Sequence, residues 1–265
     1  MSQQLLSVNK LNIEIGTKQI LRDVSLYMEA GEIISIVGES GSGKTTLIKS
    51  IMGILPPSGR VIQGEIAFDG HPVDSERVKS LRGREIAFVF QNPGSYFDPI
   101  MKIKTQFINC IRRYFDMTRG EAEAKAKTVL ETLKFKDVQK VMDAYPHQLS
   151  GGMKQRVALA LALVLDPKLI MADEPTSALD VLTQNQIMSE ILSLRERLNT
   201  GFLIVTHNLG CAAQISDRII VMKEGQIVET GTAHEIINRP QALYTRALID
   251  SVPKLKGVTH EGSCY

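Results

Sequence analysis

The chain contains Gly38-Glu39-Ser40-Gly41-Ser42-Gly43-Lys44-Thr45, which matches the spacing of a phosphate-binding loop without a gap. The apolar run 32–37 before it predicts a buried strand, and residues 46–52 after it predict a helix. Glycine allows positive φ angles, so backbone N–H groups can turn toward phosphate oxygens at the start of that helix. We therefore assign nine residues to nucleotide binding: Gly38, Glu39, Ser40, Gly41, Ser42, Gly43, Lys44, Thr45 and Thr46.

Charged and hydroxyl side chains around this loop predict ATP and Mg²⁺ as cofactors. Lys44 supplies a positive charge for the β- and γ-phosphates, and the Thr45 hydroxyl is placed to bind Mg²⁺. Asp173 and Glu174 follow the apolar run 169–172, at the end of a strand where α/β sheets place their ligands. We expect Asp173 to hold the metal ion and Glu174 to act as the general base on water. The alternative is an ordinary acidic pair that ends a strand.

A second helix start is suited to an anion. Ser150 is a good N-cap residue, and Gly151 and Gly152 after it leave backbone N–H groups free at the start of a helix. One triphosphate already has a loop to hold it, so this helix end is useful if it serves a nucleotide bound to another subunit. The alternative is a simple helix cap.

The order of apolar patterns predicts an α/β fold. Residues 5–37 alternate in the way of antiparallel strands, residues 93–150 have helical spacing, and strands and helices alternate again after residue 150. We expect a P-loop NTPase core whose parallel sheet is covered by helices on both faces. An N-terminal antiparallel β-subdomain and an inserted α-helical subdomain complete this prediction.

Composition excludes several functional classes. The 265 residues carry a net charge of +2, with 5% aromatic residues and no tryptophan, which argues against nucleic acid as the main ligand. No apolar run is long enough to span a membrane, and no secretory signal is visible. Cys110, Cys211 and Cys264 lack the spacing of metal ligands and fit a reducing compartment.

Taken together, these motifs resemble the ATP-binding subunits of ABC transporters over nearly the whole chain. In order they are the phosphate loop, a glutamine loop at Gln91, the signature 149–155, the acidic strand end 173–174, a D-loop at 177–180 and a switch histidine at His207. The resemblance implies that Gln91 contacts Mg²⁺ and senses the transmembrane partner. It also implies that Asp180 lies across a dimer interface, that Ser150, Gly151 and Gly152 complete the partner's site, and that His207 contacts the γ-phosphate.

The same resemblance implies one nucleotide-binding domain over residues 1–265. Its core covers about 1–92 and 155–235, with a helical subdomain at about 93–154 and a C-terminal helical tail at about 236–265. The implied partners are transmembrane permease subunits, a second homologous and usually different ATPase subunit, and a solute-binding protein outside the cell that acts through the permease. Such a subunit lies on the cytoplasmic face of the cell membrane.

Finer features resemble the branch that imports peptides and nickel. They are the extended glutamine loop 91–99, the D-loop and helix 176–187, and Tyr244-Thr245-Arg246-Ala247-Leu248 followed by Pro253. Peptide-importing members often continue into a longer tail with several cysteines, whereas Cys264 stands alone here. The resemblance therefore favours nickel or a related metal chelate as cargo, with dipeptides or oligopeptides as the alternative.

Two positions depart from the family pattern. Ile15 stands where an aromatic residue normally stacks on adenine, so we expect weaker base stacking. Met153 replaces the usual glutamine of the signature, and we expect function to persist. Two other classes remain open: an ATPase of DNA maintenance, disfavoured by the absence of sustained heptads, and a translation-associated protein with two cassettes, disfavoured by the single phosphate loop.

Overall fold

The computed structural model of the protein describes residues 4–92, 94, 96–177 and 179–251. Within these ranges ten strands and ten α helices follow one another. The strands are β1 (Gln4–Ile15), β2 (Lys18–Glu29), β3 (Ile33–Val37), β4 (Gly59–Phe68), β5 (His71–Pro72), β6 (Ile86–Val89), β7 (Leu169–Asp173), β8 (Gly201–Thr206), β9 (Arg218–Lys223) and β10 (Gln226–Thr232). The helices are α1 (Lys44–Ile51), α2 (Arg77–Leu81), α3 (Ile103–Tyr114), α4 (Arg119–Thr132), α5 (Val138–Asp143), α6 (Gly151–Leu163), α7 (Val181–Leu198), α8 (Leu209–Ile215), α9 (Ala233–Asn238) and α10 (Leu243–Ser251).

A six-stranded sheet forms the centre of the molecule, in the order β10-β9-β3-β8-β7-β6. The pairs from β9 to β6 are parallel, and only β10 joins antiparallel, through the hairpin that turns at Glu224 and Gly225. Strands β3, β7 and β8 are buried along their whole length, as expected for short apolar runs inside a parallel sheet. The predicted parallel core is confirmed. The sequence from Arg218 to Gly231 also predicts a hairpin that turns near Glu224-Gly225, and the pairing of β9 with β10 confirms it.

The predicted N-terminal antiparallel pairing is confirmed for β1 and β2, and the structure adds β4 and β5, which follow α1, to form a sheet in the order β2-β1-β4-β5. Its apolar side packs on the central sheet, because Leu6 and Leu11 of β1 share one buried cluster with Met171 of β7. Helix α1 contributes Leu47 to the same cluster. The prediction of helices on both faces is therefore incomplete, since the antiparallel sheet and α1 together cover one face.

The opposite face of the central sheet carries the predicted helical region. The spacing of Thr118 and Glu121 in the sequence predicts a capping box, and the structure confirms it at the start of α4. The Thr118 hydroxyl accepts from the Glu121 amide, while the Glu121 carboxylate accepts from the Thr118 amide. Helix α6 crosses the predicted subdomain boundary at 154/155, because it runs unbroken from Gly151 to Leu163 and reaches β6. The division into subdomains remains a prediction.

The helical spacing of apolar residues in the sequence predicts two buried helix faces, formed by Ala122, Ala126, Val129 and Leu133 and by Ile187, Ile191, Leu194 and Leu198. On α4 Ala122, Ala126 and Leu130 are fully buried, whereas Val129 is only partly buried. On α7 Ile187, Ile191 and Leu194 are buried, but Leu198 is 47% exposed because the helix ends there and the chain turns at Asn199 in a left-handed conformation.

The C-terminal part packs beside the start of the phosphate loop. Helices α9 and α10 flank Pro240, as predicted, and cover a third apolar cluster that includes Val37 at the end of β3. Residues 252–265, with the predicted end of the tail, Pro253 and Cys264, lie outside the described residues. Among the helices of the described chain, none combines the length and the hydropathy that crossing a bilayer requires.

A buried ion pair joins α6 to α7. Arg156 of α6 contacts Glu190 of α7 at 2.8 Å, and both side chains are nearly inaccessible to water. The Arg156 guanidinium also donates to the Leu133 carbonyl and lies 4.2 Å from the centre of the Phe135 ring. Burial is the main influence on Glu190 and raises its pKa, an effect that Arg156 opposes.

We expect Arg156→Met to lower the free energy of unfolding by about 3 kcal/mol, because it leaves a buried carboxylate without its partner. The double variant Arg156→Met/Glu190→Met should recover most of this loss, because neither charge then remains buried. The exposed pair of Lys79 and Glu76 provides the control, and Lys79→Met should cost less than about 1 kcal/mol. Urea unfolding measures all three, and equal losses in the Arg156 and Lys79 variants would contradict the expectation.

Candidate active site

The phosphate loop connects β3 to α1, and two of its glycines lie where the surrounding atoms leave no space for a Cβ. Gly43 is the N-cap of α1 with φ of 101°, and a Cβ there would approach Leu21 Cδ2 to 2.7 Å. A Cβ on Gly38 would come within 2.2 Å of the Met222 carbonyl oxygen. Sequence reasoning attributed these glycines to positive φ alone, and the structure adds that the loop lies tightly against the β1–β2 hairpin and β9.

Lys44 is buried inside the loop that it terminates, with 5% of its surface exposed. Its Nζ donates to the carbonyl oxygens of Gly38 and Glu39, both at 2.7 Å, and contacts Ser42 Oγ at 3.3 Å. Burial lowers the pKa of Lys44, and the negative charges of Glu174, Asp173 and Glu39 oppose that effect. The loop therefore holds a cation in a site where water contributes little to its solvation.

Oxygen ligands suited to Mg²⁺ meet at one corner of the site. Thr45 Oγ1 donates to Asp173 Oδ1 at 3.2 Å, and Asp173 is 8% exposed at the end of β7. Burial raises the pKa of Asp173, while the hydrogen bond from Thr45 opposes it. Among the described residues no group of three or more His, Cys, Asp or Glu could hold a metal ion alone. The donor set fits Mg²⁺, which typically takes one or two protein oxygens together with phosphate and water.

The side chain of Glu174, which follows β7, contacts two residues that follow the neighbouring strands. Its Oε2 accepts from Gln91 Nε2 at 2.9 Å, and its Oε1 lies 3.0 Å from His207 Nδ1. Gln91 follows β6 and His207 follows β8, and these strands flank β7 in the sheet. Glu174 also has φ of 47°, a left-handed conformation that costs a non-glycine residue about 1 kcal/mol and is often found at functional sites.

A cavity of about 640 Å³ brings most of the predicted residues together. Its walls are formed by Ile15, Lys18, Ile20, Ser40, Gly41, Gly43, Lys44, Thr45, Thr46, Gln91, Asp173, Glu174 and His207. Ile15 therefore lies at the nucleotide cavity, where the family pattern has its aromatic residue. The sequence analysis does not include Lys18 and Ile20, which line the cavity because the β1–β2 hairpin folds over the loop. Their position next to Ile15 in the sequence is the feature from which they could have been predicted.

The second helix start lies apart from this cavity. The Ser150 hydroxyl accepts from the Met153 amide at 3.3 Å and so caps α6, as predicted for an N-cap residue. Gly151 borders a different cavity of about 410 Å³, together with Gln91, Ser177 and Leu179. A Cβ on Gly152 would lie 2.6 Å from Thr183 Cγ2, so close packing on α7 also requires this glycine.

The predicted D-loop aspartate has a structural contact of its own. Asp180 caps α7, with Oδ1 accepting from the Thr183 amide at 3.0 Å and Oδ2 from the Thr183 hydroxyl at 2.7 Å. These hydrogen bonds lower the pKa of Asp180, and the bond from the Thr183 amide has the larger effect. Asp180 is exposed and does not border the 640 Å³ cavity. Ala178 of the same loop, like Pro93 and Ser95 of the glutamine loop, lies outside the described residues.

Sequence comparison finds relatives along nearly the full chain. The profile of the ABC transporter family matches residues 21–177. The chain is 39% identical to the oligopeptide transport ATP-binding protein OppD of Bacillus subtilis, over 97% of this chain and 74% of the relative. It is 38% identical to the dipeptide transport ATP-binding protein DppD of Lactococcus lactis, over 95% and 74%. It is also 37% identical to the glutathione import ATP-binding protein GsiA of Escherichia coli, of which it spans 42%.

Solved structures agree with this result. The chain aligns with cbiO1 of Clostridium perfringens, part of the ABC transporter complex cbiONQ, with a TM-score of 0.79, 28% identity and coverage of 88% of this chain and 90% of that one. It aligns with a dimeric ATP-binding cassette in a post-hydrolysis state with ADP and Pi, with a TM-score of 0.75, 28% identity and coverage of 86% and 99%. The fold, the site and these similarities agree, and the chain belongs to the ABC transporter family as an ABC-type ATPase.

Proposed function

We propose that this ATPase is a subunit of an importer and energises the uptake of peptides across the cell membrane. The observation that supports hydrolysis best is the convergence of Gln91 and His207 on the Glu174 carboxylate, beside the cavity entered by Lys44. Peptide cargo is supported by the relatives named for oligopeptide, dipeptide and glutathione transport. Those relatives do not support the expectation of nickel, which depended on residues beyond 251.

The geometry of the loop supports the proposal that it binds phosphate. Lys44 and the N–H groups at the start of α1 would face the phosphate oxygens, with the lysine moving from two carbonyl oxygens to a stronger anionic partner. Thr45 and Asp173 would hold Mg²⁺, and Gln91 would approach the same ion. When bound, this ion supplies positive charge that offsets the charge of the phosphates.

Hydrolysis needs a base that orients water. Glu174 fits this role because each carboxylate oxygen has a second lone pair beyond those engaged by Gln91 and His207. Those two residues hold the carboxylate in place. Glu174 accepts a proton from water as the water oxygen attacks the γ-phosphorus, and the bond from that phosphorus to the bridging oxygen breaks, so that ADP and phosphate leave. His207 is 59% exposed on its side chain and is positioned to contact the γ-phosphate from the same edge.

A complete site requires a second subunit. Ser150, Gly151, Gly152 and Asp180 do not border the cavity of their own phosphate loop, so we propose that they serve the nucleotide of a partner ATPase subunit. Val181 and Leu182 next to Asp180 are 70% and 82% exposed, which supports a surface that a partner covers. The dimeric cassette among the similar structures supports the same arrangement.

The remaining partners are those of an importer. We propose that the two ATPase subunits bind transmembrane permease subunits at the cytoplasmic face of the membrane, with Gln91 linking the nucleotide site to the permease. A solute-binding protein outside the cell would deliver the cargo to the permease. The net charge of +2 supports the exclusion of nucleic acid, and the three transport relatives weaken the alternative of DNA maintenance.

Uptake measurements test the proposed cargo. In a strain without this subunit we expect the uptake of labelled dipeptides and oligopeptides to fall to background, with uptake of radioactive nickel unchanged. The wild-type chain should restore peptide uptake, whereas Lys44→Ala should not. Loss of nickel uptake with intact peptide uptake would contradict the proposed peptide cargo and would favour a metal chelate as the cargo.

Glu174→Gln tests the base. We expect at least a hundredfold loss of ATP turnover, because glutamine keeps the size of the side chain but cannot accept the proton. ATP affinity, measured with a fluorescent analogue, should stay within about twofold because Lys44 and the loop are unchanged. Glu76→Gln, at an exposed carboxylate on the surface, is the control and should hydrolyse ATP normally. Near-normal turnover by Glu174→Gln would rule out the assignment.

Ile15→Tyr tests the base-binding wall of the cavity. An aromatic ring there should tighten ATP binding about fivefold or more, because stacking on a base contributes roughly 1–3 kcal/mol. Affinity for inorganic tripolyphosphate should not change, since it lacks a base. Ile62→Tyr on β4, which does not border the cavity, is the control. An equal gain for tripolyphosphate, or no gain for ATP, would show that this wall does not contact adenine.

A further inference from the structure

Helix α10 contacts the phosphate loop directly, although 205 residues separate the two contacting positions. The Glu39 amide donates a hydrogen bond to Tyr244 Oη at 3.0 Å. Tyr244 lies near the start of α10, and Glu39 is the second residue of the loop. The C-terminal helix therefore reaches the part of the chain that surrounds the phosphates.

The bonded amide belongs to a peptide group that is held on both sides. The Gly38 carbonyl and the Glu39 N–H are the two ends of one peptide, and the carbonyl accepts from Lys44 Nζ at 2.7 Å. Tyr244 therefore holds the N–H end, while Lys44 holds the C=O end. Hydrogen bonds at opposite ends of one peptide polarise and strengthen each other. If Lys44 turns toward a phosphate, Tyr244 is the contact that keeps this peptide in place.

The tyrosine is itself firmly placed. Its ring packs in the apolar cluster that contains Val37, the residue directly before Gly38, and Lys223 Nζ lies 5.0 Å from the ring centre. The start of α10 is anchored by the Glu229 carboxylate, which accepts from the amides of Gln241 and Ala242 at 2.7 and 3.0 Å. Burial raises the pKa of Tyr244, and a tyrosine hydroxyl is neutral at physiological pH even at its ordinary pKa of about 10.

We propose that Tyr244 is a positioning residue for nucleotide binding, which holds the Gly38–Glu39 peptide so that the phosphate loop keeps its open, phosphate-receiving shape. The C-terminal helix is then a structural part of the nucleotide site and not only a tail beside it. This inference assumes the ATP binding described above and adds a residue to it.

Tyr244→Phe tests the proposal, because it removes the hydroxyl and keeps the ring with its packing. We expect the dissociation constants for ATP and for inorganic tripolyphosphate to rise by the same factor, about three- to tenfold, as a single lost hydrogen bond predicts. The KM for ATP should rise similarly while kcat at saturation stays the same. The midpoint of thermal unfolding without nucleotide should change by less than about 2 °C, since the packing remains.

Amide hydrogen exchange gives a readout that is independent of nucleotide. In the protein without nucleotide, exchange in the segment 38–41 should be faster in Tyr244→Phe than in the wild type, because the Glu39 amide loses its acceptor. Tyr27→Phe is the matched control: it also removes a tyrosine hydroxyl, and its ring also contacts a cation, with the Arg218 guanidinium at 4.1 Å. Tyr27 lies on β2 and does not border the nucleotide cavity.

The outcomes separate this inference from the proposed function. A weaker affinity with faster exchange in Tyr244→Phe alone supports the positioning role. Unchanged affinity and exchange, the same effect in Tyr27→Phe, or a loss limited to thermal stability would overturn it. Failure of the wild-type chain to bind nucleotide would instead contradict ATP binding, and the exchange measurement would still report on the contact itself.

Discussion

The structure depends on the burial of one positive charge. Lys44 is almost inaccessible to water, so oxygen atoms of the protein must take the place of its hydration shell. The carbonyls of Gly38 and Glu39 and the Ser42 hydroxyl do so, and the loop can bring them to one nitrogen only by wrapping around it. Glycines make this wrapping possible, because a Cβ on Gly38 would meet the Met222 carbonyl of β9 and a Cβ on Gly43 would meet Leu21 of β2. The resulting site offers charge and donors to a phosphate.

The parallel sheet brings the other polar groups to the same edge. Strands β6, β7 and β8 are neighbours that run in one direction, so the residues after them emerge side by side. This is why Gln91, Glu174 and His207, far apart in the chain, form one hydrogen-bonded group. The same edge carries Asp173 next to Thr45. Burial raises the pKa of Asp173 although Thr45, Lys49 and Lys44 oppose the effect, so a further cation beside this carboxylate would stabilise its charged form.

Features that depend on neighbouring residues could be predicted from the sequence, and features that depend on the path of the chain could not. The phosphate loop, the Thr118 capping box and the strands of the core are local patterns, and the structure has them where they were expected. The grouping of Gln91 and His207 with Glu174 was accessible only through family resemblance, since spacing alone does not specify strand order. Other contacts join segments that are distant in the sequence, so no local sequence pattern predicts them. They are the packing of the antiparallel sheet on the core, the fit of Gly152 against Thr183, and the hydrogen bond from Glu39 to Tyr244.

The chemistry of the cavity also explains why cargo is not encoded there. The polar side chains on its walls are suited to phosphate, a metal ion or water, and we propose its apolar wall at Ile15 and Ile20 for the nucleobase. None of these groups has a reason to differ between a transporter of dipeptides and one of glutathione. The identities of 37–39% to relatives with different named cargos fit this view, because the shared residues can serve ATP in all of them. We therefore expect the selection of cargo to depend on surfaces outside this cavity, whereas the contact from α10 that we propose as functional acts on the phosphate loop.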